Sequence, residues 1–456
     1  MPSTPCRPGL AAAAWLLLTL ALPGHAARGD ATRGNAARGD SSGAPTPATG
    51  PNATRPNVVV VIVDTLRADR VRALGDRLPY LSALRARAVV FERALSPSSW
   101  TPTATASIFT GLWPHQHGVR TGYLALKAKR RLGPVDRLPD AAATLPEVMR
   151  AAGYHTVGVS DNVNIGETTG FARGFHTFVS HRDQGAARVA KSARRALSAH
   201  PIDRPYFLYL HLMDPHAPYR KRPGYRAPPR PEERALARYD SEIVHVDRHL
   251  RTLHDALGWE RDTLLVFSSD HGEAFGEHGC HGHPNQLYQE LLAVPLLFFF
   301  PGRLPAGTLQ EPVSTLDILP TLRGLLGLPP DPDAAGMDLS AQLRAASEPA
   351  PRALFSLRYS DLVQPPLERR AVVAEGMKLI EYFPGGRLEL FDLGRDSGEI
   401  HDLSVFRATE TARLRALLED AARLKPQYPT TRLPAPKTPQ DQAGLIERLR
   451  ALGYVQ

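Results

Sequence analysis

Hydrophobic and polar positions along this chain alternate between two textures. Residues 57–64, NVVVVIVD, form an unbroken β-branched run, the pattern of a strand covered on both faces of a parallel sheet. Similar runs recur at 155–161 (HTVGVSD), 205–214 (PYFLYLHLMD), 262–270 (DTLLVFSSD) and 295–300 (PLLFFF). Between them, AAATLPEVMRAAG and YDSEIVHVDRHLRTLHDALG carry apolar residues at three- and four-residue spacing, which predicts amphipathic helices. The alternation predicts an α/β fold with a central, mostly parallel sheet flanked by helices. Three strand runs end in an aspartate: Asp64, Asp214 and Asp270. Open α/β sheets bind ligands beyond the carboxyl ends of their strands, so carboxylates arriving on separate strands can meet at one cation.

The texture changes at both ends. Residues 1–27 have an apolar core, LAAAAWLLLTLAL, followed by small residues near Ala26 and Ala27, the layout of a secretory signal peptide. That core is shorter than the ~20 residues a spanning helix needs, so no stable membrane span is expected, although an uncleaved anchor is the alternative. Export to the medium, periplasm or cell envelope follows. Residues 28–56 are small, polar and rich in Gly and Pro, a flexible linker. The catalytic domain is expected over 57–350. From 351 to 425 the segment RRAVVAEGMKLIEYFPGGRLELFDLGRD predicts a small C-terminal antiparallel subdomain, with a hairpin at Pro384-Gly385-Gly386. The remainder, 426–456, reads as a Pro-rich tail with a short helix.

Charge narrows the partners. The chain carries 55 Lys plus Arg against 46 Asp plus Glu, which favours anionic substrates. Its arginines are scattered among Ala and Pro with no compact basic block, so a nucleic-acid partner is not expected. With only Cys6 and Cys280, stability must come from packing rather than a disulfide framework.

Two stretches carry the candidate chemistry. In SSWTPTATASIFTGLWPHQHG, residues 98–118, Thr101 precedes Pro102 and an apolar run, so its first reading is as the cap of a helix. In SSDHGEAFGEHGCHGH, Asp270 and His271 sit where a strand becomes a loop, followed by Glu273, Glu277, His278, His281 and His283. Such a density of ligand-forming side chains directly after a buried strand marks a site.

Taken together, the blocks VVIVDTLRADRV, SWTPTATASIFTGLWPHQHGV, YLHLMDPHAPY, SSDHGEAFGEHG with HGHPNQLYQELLAVPLL, and KLIEYFPGGRLELFDLGRDSGEIHDL resemble the sulfatase family of the alkaline-phosphatase superfamily. They occur in the family's order over roughly 57–405. The resemblance implies one divalent metal ion (Ca, Mn, Mg or Zn) held by Asp64, Asp270, His271 and Thr101. It puts the nucleophile at Thr101 and implies His216 and His283 as contacts for the leaving group or transferred oxygens. Asn162 and His281 are further candidates for touching substrate. A second metal site built from His211, Asp214, His216 and His283 is conceivable, but one ion is the expectation.

The departures from the family pattern are informative. Family sulfatases use a Cys or Ser, oxidised to formylglycine, in a Cys/Ser-x-Pro-x-Arg signature. Here the run is Thr101-Pro102-Thr103-Ala104-Thr105, lacking the signature Pro and Arg. Threonine cannot give the same aldehyde, because its Cβ carries a methyl group. Thr65 replaces the second of two adjacent carboxylates, and an Asp-Asn pair becomes Asp270-His271. A plain hydroxyl among Asp and His ligands resembles the phosphate- and phosphonate-ester branch of the superfamily. The expectation is therefore a hydrolase of sulfuric or phosphoric/phosphonic esters of small molecules or glycans, with a covalent intermediate on Thr101. The alternatives are a phosphoalcohol transferase acting on glycan or lipid, and a catalytically inactive binding protein.

Overall fold

In the computed structural model the β-branched run becomes strand β1 (Asn57–Val63), at the centre of a nine-stranded sheet. The structure describes residues 55–423 apart from 124, 127–130, 133–134, 182, 200–203, 284 and 361–364; beyond 423 it describes 427–428, 431–433, 443 and 446–447. The expected signal peptide, nearly all of the linker and most of the tail lie outside these residues. Among the described residues no helix is long and apolar enough to cross a membrane.

The other strands of the main sheet are β2 (Val89–Leu95), β3 (His155–Ser160), β4 (Thr177–Ser180), β5 (Tyr206–Leu212), β6 (Thr263–Ser268), β7 (Ala293–Phe299), β8 (Gly307–Leu309) and β9 (Val313–Ser314). Their order is β8-β2-β7-β6-β1-β5-β3-β4, with β9 also paired to β2. All pairings are parallel except those of β7, which runs against both β6 and β2. The alternation along β1 explains why its sequence is apolar throughout. Val58, Val60 and Ile62 enter one core with Ile108, Phe109 and Met149, while Val59, Val61 and Val63 enter the other with Leu81, Ile243 and Leu250. Helices that supply these layers include α1 (Ala68–Leu74), α2 (Pro79–Arg85), α3 (Thr101–Thr110), α4 (Leu145–Ala151), α5 (Ala186–Ser198), α6 (Arg234–Leu257) and α7 (Ile318–Leu325). The long α6 shows its apolar period plainly, burying Tyr239, Ile243, Val246, Leu250 and Leu253.

The C-terminal part is an antiparallel sheet of β10 (Leu354–Ser360), β11 (Leu367–Ala374), β12 (Met377–Phe383) and β13 (Arg387–Asp392). The predicted hairpin falls between β12 and β13, where Gly385 and Gly386 adopt φ of 107° and 65°. One face packs Leu354, Ala371 and Ile380 against Leu95, Leu287 and Leu292 of the main domain. The other packs Val372, Leu379 and Leu390 against Leu414 and Leu418 of helix α8 (Ala408–Arg423).

Candidate active site

The site grows from the carboxyl ends of neighbouring strands. β1 lies parallel between β5 and β6, with Val63 beside Leu212 and Ile62 beside Ser268. The chains leaving β1 and β6 therefore deliver Asp64 and Asp270 to the same edge. Immediately after Asp64 the backbone turns through Thr65 at φ 60°, an uncommon conformation for a β-branched residue. That turn aims the Thr65 N–H at Asp270 Oδ1 (3.2 Å), which also accepts the His271 N–H at 2.8 Å. On Asp64, Oδ2 accepts hydrogen bonds from Asn162 Nδ2 at 2.6 Å and His211 Nε2 at 3.1 Å.

Each carboxylate is thus tied down by one oxygen, and the other oxygen is left bare. Asp64 Oδ1 and Asp270 Oδ2 are buried without a hydrogen-bond partner. An unsatisfied buried polar group costs on the order of 1–3 kcal/mol, and more when charged. His271 completes the cage. Its Nδ1 donates to the Gly272 carbonyl (2.9 Å), leaving a lone pair on Nε2. That Nε2 lies 3.9 Å from Asp64 Oδ1, 3.7 Å from Asp270 Oδ2 and 3.1 Å from Thr101 Oγ1. Two bare carboxylate oxygens, an imidazole nitrogen and a hydroxyl fit a divalent cation with oriented ligands.

A second histidine competes for that role. Among the described residues, ligand atoms of Asp64, His211 and Asp270 lie within 4.8 Å of one another. His211 Nε2, however, is engaged with Asp64 Oδ2, while Tyr209 OH bonds its Nδ1 at 3.1 Å. His271 Nε2 faces both bare oxygens, whereas His211 and Asn162 engage the other oxygen of Asp64.

Thr101 reaches the cage from the start of α3. Its helix cap is Trp100, with no side-chain capping hydrogen bond, and Thr101 is already the first helical residue. The expectation of Thr101 as a cap is corrected: its hydroxyl meets His271. The preceding loop is pinned on several sides. Ser96 Oγ donates to the carbonyls of Ser98 and Asp270, and Ser99 Oγ to that of Gln286.

The remaining candidates separate. His216 is buried, with Nδ1 bonded to the Ala217 carbonyl at 2.7 Å, and its ring centroid is 5.0 Å from that of His283. His283 lies 4.9 Å from His271 by centroids, and its Nδ1 is 3.0 Å from Glu273 Oε1. Its side chain is 12% exposed where Thr101, Asp64, Asp270 and His271 are at 0%, which makes His283 the nearest of these five to solvent. Asn162 arrives as a support for Asp64. His281 does not join the cluster: it is exposed on a short antiparallel pair with Phe275. The left-handed Gly282 (φ 76°) breaks the alternation between His281 and His283. Asp214 also departs. It turns away to accept from the Ala186 N–H (2.8 Å) and Arg222 Nη2 (3.1 Å), which removes it from any second metal site here.

Electrostatics follow from burial and crowding. Burial opposes ionisation of Asp64, but the His211 hydrogen bond and the charges of His216, His211 and His271 outweigh it and hold that carboxyl below its usual range. Burial and the nearby Asp64 charge push Asp270 up. Burial works against charging His271, yet Asp270 and Asp64 raise it. His283 is pulled down to about 3 by burial and by His271, while burial pushes Glu273 up to about 7. Opposed shifts of this kind concentrate at functional sites.

Two members were not anticipated in these roles. His211 sits inside YFLYLHL, and a lone histidine in an otherwise apolar strand was the available signal. Glu273 was visible in the loop, but its pairing with His283 depends on a fold-back that spacing does not encode.

A cluster of buried acids and imidazoles beyond the strand ends of a helix-flanked sheet is where open α/β proteins place their ligand sites, and the comparisons name the family. The Sulfatase family pattern matches residues 56–328, more than half of the chain. Human arylsulfatase A is 25% identical over 364 residues, covering 65% of this chain and 69% of that enzyme. Delta 4,5-hexuronate-2-O-sulfatase of Bacteroides thetaiotaomicron is 24% identical over 434 residues, covering 79% and 87%. Among solved structures, the phosphonate monoester hydrolase of Agrobacterium radiobacter superposes with a TM-score of 0.65 at 20% identity, covering 81% of this chain and 96% of that one. The chain belongs to the sulfatase family, within the alkaline-phosphatase superfamily.

Proposed function

We propose that this chain is an exported, metal-dependent hydrolase of sulfuric or phosphoric/phosphonic esters, acting through a covalent intermediate on Thr101. One observation carries the reading: the fully buried Thr101 hydroxyl lies 3.1 Å from His271 Nε2, beside two bare carboxylate oxygens. The relatives named above act on sulfate esters and phosphonate monoesters, and a threonine that cannot become the sulfatase aldehyde favours the phosphorus side.

Asp64, Asp270, His271 and Thr101 would hold the cation. When bound, it supplies positive charge that acidifies a neighbouring hydroxyl and neutralises the anionic ester. The protein's own residues do the rest. Asn162 and His211 fix Asp64, the Gly272 carbonyl fixes the His271 tautomer, and α3 presents Thr101 with backbone donors at its N-terminus. Thr101 Oγ1 forms a bond to phosphorus or sulfur as the bond to the alcohol breaks. The proton that Thr101 gives up balances the one the alcohol gains, and His216 and His283 are the imidazoles placed to carry it. Water then cleaves the Oγ1 ester and restores the hydroxyl.

The test compares aryl phosphate, phosphonate and sulfate hydrolysis by wild type, Thr101→Ala and Thr101→Ser, with metal content measured on each. Thr101→Ala should lose on the order of 10³-fold or more in kcat, and Thr101→Ser should retain turnover. Turnover surviving in Thr101→Ala moves the nucleophile elsewhere. No turnover from ion-loaded wild type makes the chain a binding protein. Export predicts a mature N-terminus near Ala26 or Ala27, read by N-terminal sequencing of protein recovered outside the cytoplasm.

A further inference from the structure

Arg358 is a buried cation with no ion-pair partner among the described residues. It lies on β10, where Leu354, Ser356, Arg358 and Ser360 alternate inward. This inward row faces the loop that delivers the nucleophile: Ser356 Oγ donates to the Ser96 carbonyl at 2.8 Å, and Leu357 N to that of Pro97 at 2.9 Å. Arg358 continues the row, with Cζ 4.7 Å from the centroid of the Trp100 ring. Trp100 directly precedes Thr101, and its ring centroid is 5.8 Å from that of His283, the partly exposed imidazole beside His271.

Arg358 is 6% exposed, and no carboxylate among the described residues forms an ion pair with it. Nη1 donates to the Tyr359 carbonyl, and Nε is buried with no partner. Directly across the strand pair stands Arg369, a second cation rather than an acid. Burial alone, with nothing opposing it, pulls Arg358 down to about 9. Buried arginines are normally paired, because removing one partner of a buried pair strands a charge at high cost. Here the missing anion has an obvious origin in the ester itself. The position also matters because Thr105 stands where the family signature would carry a cation on α3.

We propose that Arg358 binds the anionic group of the substrate on the Trp100–His283 side of the site and tips the enzyme toward doubly charged phosphate monoesters over singly charged sulfate esters. The proposal rests on the ester lying at Thr101. A guanidinium fork matches phosphate oxygens two at a time, and an added positive charge favours the anion with the larger charge. Phosphate monoesters carry close to two charges near neutral pH, and sulfate monoesters carry one.

The experiment measures binding in a Thr101→Ala background, by calorimetry with metal-replete protein at pH 8. The probes are 4-nitrophenyl phosphate and 4-nitrophenyl sulfate, with inorganic phosphate on wild type as a further arm. Three changes are compared. Arg358→Met keeps the stem over Trp100 and removes the charge, Arg358→Lys keeps the charge and removes the fork, and Arg358→Gln provides a smaller polar replacement should the first fail to fold. Arg358→Met should lose about tenfold or more in affinity for the phosphate ester, and distinctly less for the sulfate ester. Arg358→Lys should fall between. The thermal midpoint of Arg358→Met should stay level or rise, since an unpaired charge has gone. Phosphate affinity within twofold of the parent, equal losses for both esters, or a binding loss that tracks a large fall in midpoint would each overturn the proposal. Failure of the Thr101 reading shows separately, as release of 4-nitrophenol in the Thr101→Ala background, and inorganic phosphate binding to wild type against Arg358→Met still tests Arg358.

Discussion

Asp270→Asn removes one of two buried charges whose bare oxygens find no hydrogen-bond partner among the described residues, and its effect should change sign with the state of the cation site. Ligand atoms of Asp64 and Asp270 lie within 4.8 Å of each other. At an effective dielectric of ~20, two like charges at that separation repel by roughly 3 kcal/mol. Protonation of Asp270, whose pKa burial and Asp64 raise, and charging of His271 recover part of this. Asparagine keeps the acceptor used by the Thr65 and His271 N–H groups. Its amide can donate toward Asp64 Oδ1, which has no donor now. In chelator, Asp270→Asn should therefore be about 1–3 kcal/mol more stable than wild type at pH 8. With the ion present at 100 times the wild-type Kd, wild type gains about 2.7 kcal/mol, and a variant lacking one anionic ligand should forfeit most of that. Urea denaturation with saturating divalent ion and with EDTA measures both differences. If the substitution shifts stability by the same sign and amount in the two buffers, Asp64 and Asp270 do not share a cation.

Three further predictions follow from features around the site. Asp214 is pushed up to about 7 by burial, with Glu242 and Asp161 adding to the shift against the pull of Arg222. The folded state then holds a proton that the unfolded chain has released, so this residue lowers stability as pH rises between about 4 and 7, by up to ~4 kcal/mol. Asp214→Asn should flatten that part of the melting-temperature profile, and a parallel profile would contradict the assignment. A Cβ on Gly272 would fall 2.0 Å from the Glu290 carbonyl oxygen, which already accepts the Glu273 N–H, so Gly272→Ala should cost about 3 kcal/mol or more in denaturant titration, or yield insoluble protein. Thr65→Gly should raise the urea midpoint by the equivalent of about 1 kcal/mol, because it relieves a β-branched residue at φ 60° and removes a buried hydroxyl with no partner. A lowered midpoint would show that the Thr65 side chain contributes packing that outweighs its strain.

The parts of the fold that were legible in the sequence are those with one dominant physical cause. β1, β3, β5, β6 and β7 are covered on both faces and read as continuous apolar runs. β2 escaped because Glu92 and Arg93 interrupt it at a partly exposed stretch. The reversed direction of β7 leaves no mark either, since a strand buried on both faces looks alike in either direction. α8 carried a signal in its buried row of Thr411, Leu414 and Leu418, but it sits outside the strand-helix alternation that organised the reading. In the site, Asp64, Asp270, His271 and Thr101 were legible as strand-end and helix-start residues. Asp214 obeyed the same strand-end pattern and still turned away, because the Ala186 N–H and Arg222 offered it partners. Local pattern places a side chain at an edge, and its neighbours decide which way it faces.

The bonds from Ser356 and Leu357 to the carbonyls of Ser96 and Pro97 clamp the loop before Thr101 to the C-terminal sheet. The segment that carries Thr101 is thereby held from two sheets at once, and its setting against His271 depends on a backbone seam as well as on its own strand. Loosening β10 would let that hydroxyl drift without a change to any acid or imidazole around it.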